Sequence, residues 1–318
     1  MHITATEKST EVCELGSLGL IRFTGSDARA FLHGQLTCDV EALTPETSTY
    51  GSYCTPKGRV LATFLLWRNG DDYFMQLPRA LHEGVQKRLS MYILRSKVKA
   101  VDVTSEWTLL GVSGASAGAL ARLVAGEAPV AIRGVTHGRD DTIVIRLPGD
   151  RYEVIIPAAR AQSAKELLAH QAEVTDETYW NWLDIRAGIP LITTETQEAF
   201  VPQMANLDLI GGVSFTKGCY PGQEIVARTH YRGTLKQRMY CASAPDGEPP
   251  RPGDKLYSPE TGDQACGIIV NAAAAPDGVF DVLAVMQIAA AEGHEIHLRS
   301  PDGPELELQG LPYKVTTD

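Results

Sequence analysis

The chain has no basic block, no closely paired cysteines and no long apolar run, and each absence removes a class of function. Lys and Arg number 29 against 39 Asp and Glu, a formal net charge of −10 over 318 residues. An acidic chain without a basic cluster is poorly built to grip a phosphate backbone. The expected ligands are therefore small molecules or proteins, with no direct nucleic acid contact. The six cysteines (Cys13, Cys38, Cys54, Cys219, Cys241 and Cys266) are scattered, with no Cys-x-x-Cys spacing. Closed zinc and iron–sulfur sites cluster their ligands, so no resident metal site is expected. A disulfide framework is equally out of place in a chain this long. The longest apolar runs, such as Leu61–Trp67, fall far short of a membrane span. Met1–Glu14 carries Glu7, Lys8, Glu11 and Glu14 and no apolar stretch of signal-peptide length. The expectation is a soluble, cytoplasmic protein with no membrane contact and, by default, a monomer.

What is present suffices to bury cores: 44% apolar residues against 21% charged. The length predicts two or three domains. Leu18–Phe23, Tyr50–Cys54, Val60–Trp67 and Tyr73–Leu77 read as strands, with turns at Thr55–Gly58 and Asn69–Asp71. Ser26 or Asp27 is placed to cap a helix bearing Phe31, Leu32 and Leu36, and Leu81, Val85 and Leu89 mark one face of another. A second block over Trp107–His170 repeats the mixture, which predicts paired α+β units with antiparallel hairpins. Asp176 is a cap for a helix over Glu177–Ala187. Beyond Arg232-Gly233, short strand candidates separated by Asp-Gly turns predict a small β-barrel. The expected division is residues 1–235 and 236–318.

One segment stands apart: Lys217-Gly218-Cys219-Tyr220-Pro221-Gly222-Gln223-Glu224. Pro221 suits a first helical turn and Glu224 its acidic start, with Arg228 at i, i+4 spacing from Glu224. Cys219 at such a helix N-terminus would be favoured as the thiolate, with Lys217 adding positive charge. The same spacing also fits a tight glycine-rich turn around an inert cysteine, and spacing alone does not separate the two.

This segment resembles the Lys-Gly-Cys-aromatic-x-Gly-Gln-Glu signature of the YgfZ-type folate-binding proteins. Ile185–Pro190, Phe200–Leu207, Gly211–Phe215, Val226–Arg228 and Arg232-Gly233 are similar to the family's flanking blocks, as are Phe31–Val40 and Lys57-Gly58-Arg59 upstream. The similar span, Thr24–Tyr240, covers about two-thirds of the chain. The resemblance implies an α+β fold like that of the glycine cleavage T-protein (GcvT): two interlocking α+β units and a C-terminal small β-barrel, forming a ring around a folate-sized hole. It also implies tetrahydrofolate as cofactor, and a role in assembling or repairing iron–sulfur clusters in client enzymes. One such client is a radical-SAM tRNA methylthiotransferase, so the link to tRNA is indirect.

On this resemblance the functional thiol is Cys219, with Lys217 beside it. It holds iron or a cluster briefly, or does redox chemistry; the sequence leaves these open. Gly218, Tyr220, Gly222, Gln223 and Glu224 belong to the same segment. Trp180 falls at a folate-contacting tryptophan and would stack on a pterin, although it would equally pack a core. An earlier family tryptophan aligns with Leu18 here, which removes one stacking surface. Arg186 and Arg228 would pair with a folate glutamate tail or form ordinary ion pairs. Gln203 and Asn206 would supply amide contacts to a pterin edge or satisfy their own loop. His230 is read as solvent-facing. A classical enzyme is not expected. The alternative is a tetrahydrofolate-dependent aminomethyltransferase, but the stretch where that enzyme needs an aspartate reads Leu77-Pro78-Arg79-Ala80-Leu81-His82. A folate sensor or scaffold without chemistry is a third reading.

Overall fold

The computed structural model describes residues 9–233, 235–293 and 295–315. Its first sheet follows from alternating strands with apolar residues on both faces. β4 (Val60–Asn69) and β5 (Asp72–Pro78) pair across a turn at Gly70, whose φ of +60° suits glycine. With β2 (Leu18–Thr24), β3 (Ser48–Cys54) and β6 (Lys99–Asp102) they form an antiparallel sheet in the order β3-β4-β5-β2-β6. The first eight residues of β4 are all buried, because the sheet is covered on both sides. Leu66 and Met75 face α1 (Ala28–His33) and α2 (Arg79–Ser90), where Leu32, Leu81, Val85 and Leu89 meet them. Leu65, Trp67 and Phe74 face the second unit.

That second sheet has the order β11-β1-β7-β10-β9-β8. Its members are β7 (Trp107–Ser113), β8 (Val135–His137), β9 (Ile143–Leu147), β10 (Arg151–Pro157), the two-residue β11 (Glu173–Val174) and β1 (Glu11–Glu14). β1 precedes the first unit in sequence yet lies inside the second sheet, antiparallel to β7 and parallel to β11. The two units are thus interlocked by the chain itself. α3 (Ala117–Ala125) and α4 (Ala161–Ala169) cover the outer face through Leu120, Ala121, Val124, Ala164 and Leu168. α5 (Glu177–Arg186) begins as expected, with the Asp176 carboxylate accepting from the Thr178 N–H at 2.8 Å.

From Ala187 the chain is irregular until α6 (Gln223–Arg232). It then forms a half-barrel-like antiparallel sheet in the order β16-β13-β14-β15-β12-β17, made of β12 (Gln237–Ala244), β13 (Lys255–Tyr257), β14 (Gly267–Ala274), β15 (Phe280–Gln287), β16 (His297–Leu298) and β17 (Glu307–Gln309). Polar contacts join it to the rest. The Arg238 guanidinium meets the Asp208 carboxylate at 2.8 and 3.1 Å, and the Asn271 amide exchanges bonds with both backbone groups of Leu191. Among the described residues no helix is long and apolar enough to cross a membrane.

Candidate functional site

The signature loop is fastened at both ends. Lys217 carries its ammonium into the C-terminal end of α1, where it donates to the carbonyls of His33, Leu36 (2.6 Å) and Cys38 (3.1 Å). The Tyr220 ring, buried, lies 5.1 Å from the same ammonium. Burial pulls the Lys217 amine below the usual lysine range. Its three N–H groups are therefore used on backbone carbonyls, and Lys217 anchors the loop; it has no donor left for Cys219. At the other end Gly222 is the N-cap of α6 at φ +84°. A Cβ there would stand 2.5 Å from the Thr55 carbonyl and 2.6 Å from the Gly58 Cα, while Gly58 itself sits at φ +72° against Ile225. Two glycines thus let the Thr55–Arg59 turn and the signature loop touch backbone to backbone. Gln223 Nε2 closes the loop by pointing back to the carbonyls of Lys217 and Gly218 at 3.5 and 3.4 Å.

Between these anchors Cys219 is exposed and unbridged. It is not at the helix start: α6 begins at Gln223 with Gly222 as cap, three residues beyond Cys219, and Pro221 lies outside the helix. The positive φ that Gly222 needs for its contact with Gly58 delays the helix past the point where Pro221 and the acidic residues alone would begin it. Glu224 and Arg228 are both exposed on α6, and no ion pair joins them among the described residues. His230 is exposed, with its ring stacked on Phe215 at 3.7 Å between centroids.

A separate cavity lies between the two α+β units. It has a volume of about 50 Å³. Leu18, Tyr50, Gln76, Glu153, Trp180 and Asp184 are among its walls. Trp180, 2% exposed, packs flat on Gly111, where any Cβ would stand 2.4 Å from the indole, and the Arg151 guanidinium lies 4.8 Å from its ring centroid. Arg151 is fixed in turn by the Asp184 carboxylate at 2.7 Å. Glu153 is buried and accepts from Gln76 Nε2 at 3.0 Å. Burial pushes its carboxyl up to about 7 against the lowering effect of Gln76. Four of the lining residues carry a buried polar atom without a partner among the described residues: Tyr50 OH, Gln76 Oε1, Glu153 Oε2 and Trp180 Nε1. Buried polar groups are nearly always paired, so such a concentration is unusual.

The remaining residues singled out from sequence lie elsewhere. The Gln203 amide donates to the Val226 carbonyl at 2.6 Å, and Asn206, at φ +55°, donates to the Met239 carbonyl at 2.8 Å. Both hold the protein's own backbone, tying the 201–212 loop to α6 and β12, and neither lines the cavity. Arg186 lies across α5 from it, in a cleft of about 820 Å³ against the third sheet, with the Asp281 carboxylate 3.6 Å away. Cys219 is not among the cavity's lining residues either. On the cavity wall, a Cβ at Gly51 would stand 2.8 Å from Cys38 Sγ, and the Cys38 carbonyl takes the Lys217 ammonium.

Residues 2–139 match the model of the GCVT N-terminal domain. The chain is 31% identical over 319 aligned residues to the tRNA-modifying protein YgfZ of Yersinia enterocolitica, spanning 99% of this chain and 96% of that protein. It belongs to the YgfZ family. The YgfZ of Sodalis glossinidius is 32% identical, spanning 93% of this chain and 90% of its own length. Among solved structures, aminomethyltransferase T of the glycine cleavage system from Bartonella henselae has a TM-score of 0.78 at 19% identity, covering 96% of this chain and 87% of that one. That likeness shows the fold: a GcvT-like α+β arrangement of several sheets.

Within this YgfZ-family chain, sequence reasoning singled out Trp180 and missed Tyr50, Gln76 and Glu153. For Glu153 a signal existed. Tyr152, Val154 and Ile156 alternate toward α3 and α4, so Glu153 had to share the opposite, equally buried face with Ile155. A charge at an inward strand position is costly unless it serves a purpose.

Proposed function

We propose that this chain binds a tetrahydrofolate in the cavity beside Trp180 and, through the Cys219 thiol, supports assembly or repair of iron–sulfur clusters in client enzymes. It would act in the cytoplasm and reach tRNA only through clients such as a radical-SAM methylthiotransferase. The observation that carries the folate half is that four residues lining one narrow cavity each hold an unpartnered buried polar atom. A pteridine fits that set: it is flat, and its amino-pyrimidinone edge presents adjacent N–H donors to a carboxylate. Glu153 Oε2 and Gln76 Oε1 would accept from such an edge, and Trp180 would lie against the ring. Leu18 on the same wall supplies an apolar contact without a second stacking face. A bound tetrahydrofolate contributes an easily oxidised ring. The protein's own contribution is to hold that ring in the interior and to keep Cys219 at the surface, where a client can meet it. The ring-like arrangement of the family, with its folate-sized hole, belongs to this reading.

Two measurements test it. Calorimetry should show tetrahydrofolate binding that falls at least tenfold in Glu153→Gln, since the variant can no longer take two donors on an anion. In a strain lacking its own family member, wild type should restore methylthiolated tRNA and Cys219→Ala should not. Unchanged binding in the first, or full restoration in the second, removes the corresponding half.

A further inference from the structure

The 84–101 segment holds five basic residues (Lys87, Arg88, Arg95, Lys97 and Lys99) and no Asp or Glu, in a chain whose net charge is −10. No unbroken run of cations marks it in the sequence, because apolar residues are interspersed with them. Lys87, Arg95, Lys97 and Lys99 are exposed. None of the four is in an ion pair among the described residues, whereas Arg151, Lys165, Arg238 and Arg299 each meet a carboxylate at 2.5–2.8 Å. Lys87 suits the last turn of α2 through the helix dipole, and Lys99 suits the edge strand β6, where lysine discourages strand pairing. Arg95 and Lys97, between the two elements, answer to neither need. The same segment exposes apolar side chains: Leu94 is 85% exposed, Met91 62% and Tyr92 44%, and Leu94 is the most exposed large apolar side chain among the described residues. A slack loop does not account for this. Ile93 packs against the first core and Val98 is buried in it. Between α2 and β6 the backbone is clamped, with the Lys97 N–H donating to Asp27 Oδ2 at 2.7 Å and the Asp27 N–H to the Lys97 carbonyl at 3.4 Å. Asp27, the carboxylate at this clamp, is thus used on the backbone. The anchors face inward, so Met91, Tyr92 and Leu94 are held out into water on a fixed support.

We propose that Met91, Tyr92 and Leu94, flanked by Lys87, Arg95 and Lys97, dock an acidic segment of another protein that carries apolar side chains of its own. An apolar centre within a polar rim is the anatomy of a protein interface, and unpaired cations select a partner of opposite charge. An extended polyanion is the poorer match. A nucleic acid duplex or an anionic membrane would face much of this chain and meet its net negative charge. Screening over about 10 Å leaves a short acidic segment facing mainly the local cations. The proposal goes beyond the folate cavity and Cys219 and rests on neither.

The test identifies what lies on the patch. p-Benzoylphenylalanine is placed at position 94 of the full chain in cells and irradiated, and the cross-linked peptide is sequenced by mass spectrometry. The same probe in place of Asp263, an exposed residue outside the patch, gives the background. The expected product is a protein segment of net negative charge with apolar residues at the link. Its yield should fall about tenfold when Lys87→Glu and Lys97→Glu are combined. The segment, made as a peptide, should bind the purified chain about tenfold more weakly as salt rises from about 50 to about 300 mM. Arg95→Glu with Lys97→Glu replaces the first pair if that pair does not fold. A cross-link to RNA, to lipid or to a second copy of this chain overturns the proposal. So does a segment without acidic excess, a yield indifferent to charge reversal, or one no greater than at position 263. Neither readout uses folate, Cys219 or methylthiolated tRNA, so this proposal and the proposed function stand or fall separately.

Discussion

At the scale of single residues, Glu153 is the least expected feature, a carboxyl on an inward strand face with one oxygen unpaired. Its proton affinity makes it a stability switch. Burial raises the group from an ordinary value of 4.5 to about 7 in the folded chain. Between those two values the unfolded chain has lost the proton while the folded chain keeps it, so stability falls as pH rises through this window and levels off above it. The full difference is on the order of 3 kcal/mol, from about 1.4 kcal/mol per unit. Glu153→Gln, isosteric and neutral, should therefore match wild type near pH 4.5 and exceed it in urea midpoint at pH 8. Denaturation at the two pH values checks this, and a variant no more stable than wild type at pH 8 would mean that burial does not raise the carboxyl's proton affinity.

At the scale of elements, the signature loop is a device for presenting one exposed residue on a rigid mount. Lys217 supplies its most important anchor. Lys217→Met keeps the aliphatic stem against Tyr220 and leaves three carbonyls at the end of α1 without their donor. The expected cost is about 2 kcal/mol, since hydrogen bonds from a charged donor exceed neutral ones, together with faster amide exchange over residues 217–222. Stability within a few tenths of wild type would show that water replaces the ammonium at no loss. This loop also marks the limit of what the sequence could reveal. The strands around Leu65 and Ile155 and the helix faces of Leu81, Val85 and Leu89 were legible because alternation and 3.6-residue spacing are local. β1 was not legible: four residues, Glu11–Glu14, gain their strand character from β7 about a hundred positions away. The start of α6 was misplaced for the same reason, because the partner that holds Gly222 at positive φ is Gly58. Of the candidate site, Cys219 and Trp180 were legible by motif, whereas the convergence of Tyr50, Gln76 and Glu153 required three strands from two sheets to be brought face to face.

At the scale of the whole molecule, the question is whether three sheets act as one body. β1 threads the first two together, and the third is joined both by apolar packing, with Met239, Val270 and Leu283 in one core with Ile185, Phe200 and Leu207, and by buried polar contacts. Asp281 is one of these: it accepts from Trp182 Nε1 of α5 at 2.8 Å and from Ser243 Oγ of its own sheet at 2.6 Å, with Arg186 at 3.6 Å. It is 4% exposed. Asp281→Ala removes the common acceptor and strands an indole N–H and a hydroxyl along the seam between α5 and the third sheet. Leaving one side of a buried polar set without its partner costs about 3 kcal/mol or more. If the seam is part of a single cooperative structure, that loss should appear in one urea transition, with tryptophan fluorescence and far-ultraviolet dichroism shifting together to a lower midpoint. Two separated transitions in the variant would mean instead that the third sheet stands without the others, and that Asp281 joins two bodies able to fold apart. The distinction bears on function, because α5 carries Trp180 on one side and Arg186 on the other. A seam that opens would disturb the cavity wall, whereas a seam that holds keeps the Trp180 indole fixed against Gly111 whatever binds at the surface.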